Sequence, residues 1–371
     1  MIKGGGQRPP HKGRLTAKDG CEPRAQAKPQ ITSPYRLPLT SNQKGDNLEG
    51  EEKANMARKP PEIRVGPAGW SYADWAGIVY PASRPRDFHE AGYLAQFFDT
   101  IEINTSFYHP PAAKTAQGWI RRVAHNPRFK FTAKLWQRFT HERNANREDE
   151  KACKTGLAPL VEEGRLGALL LQFPWSFKNT KENREYLGGL VVEFVEFPLV
   201  LEVRHNSWNH PDVFKMLAEL GVGFCNIDQP VIGRSIEPSA RATAPVGYVR
   251  LHGRNYEHWF NSEDHPEERY NYLYSAEELE PWAQRIRNIA QQADATFVIT
   301  NNHFQGKAIA NALQLVHLLT GNPVTVPETL LAQYPELAKI ASPAEATPVI
   351  SLNPDQPSLL FAPVESSRKK A

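Results

Sequence analysis

Five short β-rich runs end in two polar residues two positions apart: Glu102 and Asn104, Thr132 and Lys134, Glu202 and Arg204, Asn226 and Asp228, Arg250 and His252. Alternate strand side chains share a face, so each pair is expected on the inner face of a sheet, with Gln172 as a single such position. Glu102 and Glu202 are candidate general bases. His252 is a candidate acid or base, because a mouth of mixed charge moves pKa values toward neutrality. Lys134, Arg204, Arg250 and Arg254 would hold a phosphate or carboxylate, arginine through its two-pronged fork. Equally, they would neutralise Glu102, Glu202 and Asp228. Burying that many ions unpaired costs several kcal/mol each, so pairing is expected, and the bland outcome is a self-satisfied plug.

The loops after these runs supply flat rings and hydrogen-bonding groups: Trp70, Ser71, Tyr72 and Trp75; Thr105, Phe107 and Tyr108; Ser207 and Trp208; Asn301, Asn302 and His303. The catalytic set read from the chain is thus Glu102, Glu202 and His252. The binding set is Trp70, Tyr72, Asn104, Phe107, Tyr108, Lys134, Gln172, Arg204, Ser207, Trp208, Asp228, Arg250, Arg254, Asn301 and Asn302. Rings beside cations suit sugars, nucleobases or phosphorylated ligands; for Trp70, Trp75, Phe107 and Tyr108 the alternative is packing that closes the top of the fold. No cofactor is expected. A divalent metal on Glu202, Asp228 and His252 is the other use of those donors, without a compact ligand motif behind it. His109 and His141 read as surface residues, and Cys225 as a small core residue facing away from Asn226.

The positioning elements alternate. Strands are expected at 63–67, 100–104, 129–134, 168–173, 199–204, 222–228, 248–252 and 296–301, with helices between them marked by a 3.6-residue apolar period, as at Leu94, Phe97 and Phe98 and at Ile309, Ala312, Leu313 and Val316. Ser275 and Glu278 form a capping box. Eight βα units with no Gly-rich phosphate loop predict a (β/α)8 barrel of the triosephosphate-isomerase type over residues 61–332, with its strands and helices between about Ile63 and Leu319 and its site at the C-terminal strand ends. A doubly wound open sheet is the alternative.

Charge bounds the partners. The chain of 371 residues has a formal charge of +3, but Lys and Arg exceed Asp and Glu by 6 in residues 1–60 and balance them over 333–371, which leaves residues 61–332 at −3. A broad phosphate-neutralising face is therefore not implied. Residues 1–60 read as a disordered basic arm, with Met56 as an alternative start, and residues 333–371 as a short helix followed by a flexible tail. Three cysteines without a paired spacing predict a reduced, cytoplasmic setting, and no apolar run is long enough for a membrane span.

The strand ends and their loops resemble one family. Gly69-Trp70-Ser71-Tyr72 with Asp74-Trp75, Glu102 to Tyr108, Phe129 to Lys134, Leu171 to Pro174, Glu202 to Trp208, Arg250 to Arg254 and Asn301 to His303 are similar, in order, to the domain-of-unknown-function 72 (YecE-like) family. The resemblance covers residues 63–320 and implies the same barrel. It implies no established activity. The leading expectation is an enzyme using acid/base chemistry on a small anionic or nucleotide-like ligand; the second is a nucleic-acid-binding or metal-dependent nuclease-like repair protein, and the third a non-catalytic scaffold with an occluded mouth and every charge internally paired.

Overall fold

Branched and aromatic residues fill eight short runs that pair side by side, as the computed structural model shows over the residues it describes, 61–259 and 266–342. The strands are β1 (Glu62–Pro67), β2 (Thr100–Ile103), β3 (Lys130–Lys134), β4 (Leu166–Gln172), β5 (Leu199–Glu202), β6 (Gly223–Asp228), β7 (Val246–Leu251) and β8 (Ala295–Thr300). Their order is β1-β8-β7-β6-β5-β4-β3-β2 and every hydrogen-bonded pair is parallel. The remaining seam, between β1 and β2, closes where Ala68 bridges Glu102 and the Gly69 N–H donates to the Glu102 carbonyl at 2.9 Å. A (β/α)8 barrel results. Gly66 permits the closure: a Cβ there would stand 1.8 Å from the Thr100 carbonyl oxygen.

Nine α-helices are described: α1 (Glu90–Leu94), α2 (Ala113–Arg122), α3 (Gln137–Thr140), α4 (Arg147–Glu162), α5 (Lys181–Glu193), α6 (Pro211–Leu220), α7 (Ala276–Ala290), α8 (Lys307–Thr320) and α9 (Glu328–Gln333). The capping box read from Ser275 and Glu278 starts α7, both reciprocal hydrogen bonds being present. On α8 the periodic residues Ile309, Ala312 and Leu313 are buried against the barrel. Strand ends fall within two residues of expectation. Asn104 and Arg204 lie past the ladder, because Asn104 leads into the 3-10 turn Thr105–Phe107 and the Arg204 carbonyl accepts instead from the Ile236 N–H at 2.8 Å.

After α8 the chain returns across the barrel. Leu330 of α9 is buried, the Tyr334 hydroxyl donates to the Gln305 carbonyl at 2.7 Å, and the Thr329 hydroxyl donates to the Val79 carbonyl at 3.4 Å. This strap ties the loop after β1 to the loop after β8. The expected arm, residues 1–60, and most of the expected tail lie outside the described residues. Among the described residues no helix is long and apolar enough to cross a membrane.

Candidate functional site

Arg250, at the end of β7, is the hub of the barrel mouth. Its Nη1 donates to Glu202 Oε2 at 2.6 Å and its Nη2 to Glu102 Oε1 at 2.8 Å, with all three side chains fully buried. Arg204 Nη2 donates to Glu202 Oε1 at 2.9 Å and its Nη1 to Gln229 at 3.0 Å; Lys134 Nζ stands 3.5 Å from Glu102 Oε1. From below, the Tyr248 hydroxyl lies 3.0 Å from Glu102 Oε2 and 2.8 Å from Thr132 Oγ1. Burial alone would raise the Glu202 carboxyl, but the Arg250 and Arg204 guanidinium groups outweigh it and hold the group well below the usual carboxylate range.

Asn301 Nδ2 lies 2.9 Å from His252 Nδ1; with the amide as donor, the ring proton sits on Nε2, facing Glu202 Oε1 at 3.4 Å. Burial, with Arg204 and Arg250 nearby, lowers this imidazole to about 3, so it is neutral at physiological pH. Lys134 is lowered to about 8, first by burial and then by Arg250, against the opposing pull of Glu102 and Glu202.

Above this ladder lies a cavity of about 470 Å³. Trp70, Tyr72, Phe107, Tyr108, Trp119, Tyr270 and His303 form its aromatic walls, and Lys134, Asn104 and Asn301 supply polar groups. Trp70 meets Trp119 edge to face at 5.5 Å, and Tyr72 stacks on His303 at 4.3 Å. Asn104 donates to the Tyr72 hydroxyl at 3.0 Å, which donates in turn to the Ala68 carbonyl at 2.7 Å; Asn104 Oδ1 is left buried without a partner among the described residues. Such a volume fits a small ligand.

The sequence model of the family described as protein of unknown function DUF72 matches residues 64–335. The chain belongs to the DUF72 family. The DUF72 chain is 32% identical over 273 residues to the UPF0759 protein YunF of Bacillus subtilis, an alignment that covers 69% of this chain and 94% of YunF. A DUF72 structure from Thermotoga maritima is similar at 33% identity and a TM-score of 0.62, covering 70% of this chain and 99% of its own. A second, from Enterococcus faecalis, has 27% identity and a TM-score of 0.61, covering 71% and 100%.

Of the residues expected at the DUF72 mouth, Trp70, Tyr72, Asn104, Phe107, Tyr108, Lys134 and Asn301 line the cavity. Glu102, Glu202, Arg250 and His252 converge as expected but have no exposed surface; they hold one another in the ladder, where Arg204 keeps 17% exposure. The remainder pack elsewhere. Trp208 Nε1 donates to the Phe177 carbonyl, Ser207 accepts from the Asn179 N–H, and Asn302 reaches the Tyr272 carbonyl and Asn311. Gln172 closes β4 beside Glu202, its buried Oε1 unpartnered among the described residues. Trp75 is wholly buried and donates to the His303 carbonyl, the packing role weighed for it.

On β6 the direction is the reverse of the one expected. Cys225 registers with Tyr248 and has Glu202, Arg250 and Glu102 as charged neighbours, so it faces the barrel axis. Asn226 turns outward to Ser239 and Arg241, and Asp228 outward to the fork of Arg254, which also pairs with Glu278 of α7. These polar residues satisfy the long β6–β7 connection instead of the interior. Among the described residues no group of three His, Cys, Asp or Glu side chains is placed to hold a metal ion. Two wall residues escaped the sequence reading. Trp119 lies on α2, where an aromatic residue reads as packing, and Tyr270 closes a charged loop segment with no strand-end signature.

Proposed function

We propose that this DUF72 barrel is an enzyme acting by acid/base chemistry on a small ligand that combines a flat face with one anionic group, and that Lys134 is the side chain in contact with that group. The supporting observation is an unbalanced charge. The ladder sets two carboxylates, Glu102 and Glu202, against three cations, Arg250, Arg204 and Lys134, while His252 is neutral. Among the described residues one positive charge is left over, and Lys134, 12% exposed, carries it to the floor of the aromatic cavity. An anion there would neutralise the ladder while rings stack on the walls. A base near pH 8 beside such a ligand is suited to moving protons at physiological pH. Glu202 and His252 support this floor from beneath rather than touching the ligand.

Phenyllactate, a flat ring bearing a carboxylate, is the probe, with benzyl alcohol as the uncharged control; the fluorescence of Trp70 and Trp119 reports binding. Lys134 is protonated below pH 8 and neutral above it. Phenyllactate affinity is therefore expected to be flat from pH 6 to 7 and to fall roughly 10–100-fold by pH 10, the worth of a charge-assisted hydrogen bond. Lys134→Met should show the weakened affinity already at pH 7, with no further decline. Equal affinity in wild type and Lys134→Met at pH 7 would refute the reading.

A further inference from the structure

We infer that Lys134 is also a nucleophile, forming an imine with the carbonyl carbon of a 2-oxo acid seated in the mouth. This rests on the proposed anion site and names its substrate class. Among the described residues lining the cavity Lys134 is the sole amine, with Nζ 5.8 Å from the centre of the Phe107 ring and 3.5 Å from Glu102 Oε1. Its proton is also the one the ladder can release without harm. With the Lys134 proton held on Glu102, Glu202 and the carboxylate of the guest face Arg250 and Arg204, two charges against two, so no buried ion is left uncompensated. The charged and titratable groups around it pull both ways: Glu102 from β2 and Glu202 from β5 hold the proton, while Arg250 from β7, and His141 just after α3 when charged, repel it. Burial and Arg250 favour the neutral amine, and at pH 7 a lysine lowered to about 8 is neutral roughly a few hundredfold more often than an unperturbed one.

The step balances. Lys134 gives a proton to Glu102, the freed amine attacks the carbonyl carbon, and a proton passes from nitrogen to oxygen to give the neutral carbinolamine. Glu102 then returns its proton to the hydroxyl, which leaves as water. Ammonium plus carbonyl has become iminium plus water, with one positive charge before and after. The 2-oxo acid's carboxylate thus neutralises the ladder throughout. Asn104 Oδ1, buried on the same cavity and lacking a partner among the described residues, is an acceptor for the carbinolamine hydroxyl.

The test uses the full wild-type chain with phenylpyruvate and sodium cyanoborohydride, followed by intact mass and peptide mapping, so no variant has to fold. One reduced adduct is expected, on Lys134, formed at least tenfold faster than on any other lysine and suppressed by excess phenyllactate. Lys134→Arg should keep phenyllactate binding and lose the adduct. Phenyllactate binding without an adduct, or labelling spread over other lysines ahead of Lys134, overturns the imine and leaves the anion site standing. Absence of phenyllactate binding overturns both.

Discussion

Replacing Arg250 with methionine is expected to destabilise the barrel by about 3 kcal/mol and to lower its melting temperature by roughly 6–12 °C. Removing one member of a buried ion pair typically costs about 3–5 kcal/mol, because the partner is left charged and dry. Arg250 serves two such partners, Glu102 and Glu202, but Lys134 and Arg204 remain beside them, which argues for the lower end of that range. The pH dependence identifies the cause. In the wild type the Glu202 carboxyl lies well below its ordinary value, so its contribution is present above about pH 4 and lost only as the pH falls through the depressed value. In Arg250→Met burial gains ground on the remaining cation, the folded-state pKa rises, and the deficit relative to wild type should shrink as the pH is lowered from 7 toward 4. Urea unfolding at pH 7 and pH 5 measures both effects. A melting temperature within a degree or two of wild type at pH 7 would mean that the ladder is not holding those charges.

Gly66→Ala should be as damaging, for a different reason. The added methyl would stand 1.8 Å from the Thr100 carbonyl oxygen and 2.8 Å from its carbon, both backbone atoms of β2. Backbone cannot rotate out of the way, so β1 and β2 must part, at a cost of about 3 kcal/mol or more. The same seam carries the two backbone links to Glu102, so phenyllactate affinity should decline together with stability. Gly188→Ala is the control. It lies in α5 with nothing within 4 Å of the new methyl, and alanine there should stabilise the helix by about 0.5–1 kcal/mol. Thermal melts of the two variants side by side decide the matter: similar small shifts would remove the steric account of barrel closure.

The convergence of Glu102, Lys134, Glu202 and Arg250 was legible because polar residues spaced by two break the apolar pattern of a barrel interior. The same rule misread β6. Period two says that Asn226 and Asp228 share a face, not which face is inside, and only the β6–β7 connection with Arg254, neighbours distant in sequence, pulls them outward. Nor does spacing reveal depth. Whether Glu202 and His252 touch a guest or lie a layer beneath it depends on how far the guanidinium groups of Arg250 and Arg204 reach across the barrel, a property of side-chain length and packing. The aromatic loops were legible as a group, but Trp70 as a wall and Trp208 as an anchor on Phe177 are separated only by three-dimensional contacts.

The return strap from Thr329 to Tyr334 gives the two flanks of the mouth a common anchor. Val79 on one side and Gln305 on the other are fastened to the same short stretch, so Tyr72 and His303, which stack across that gap, depend on residues beyond the eighth βα unit for their spacing. Fraying at that far end would therefore be felt first as slack between two facing rings, with guests held more loosely while the sheet itself stayed intact.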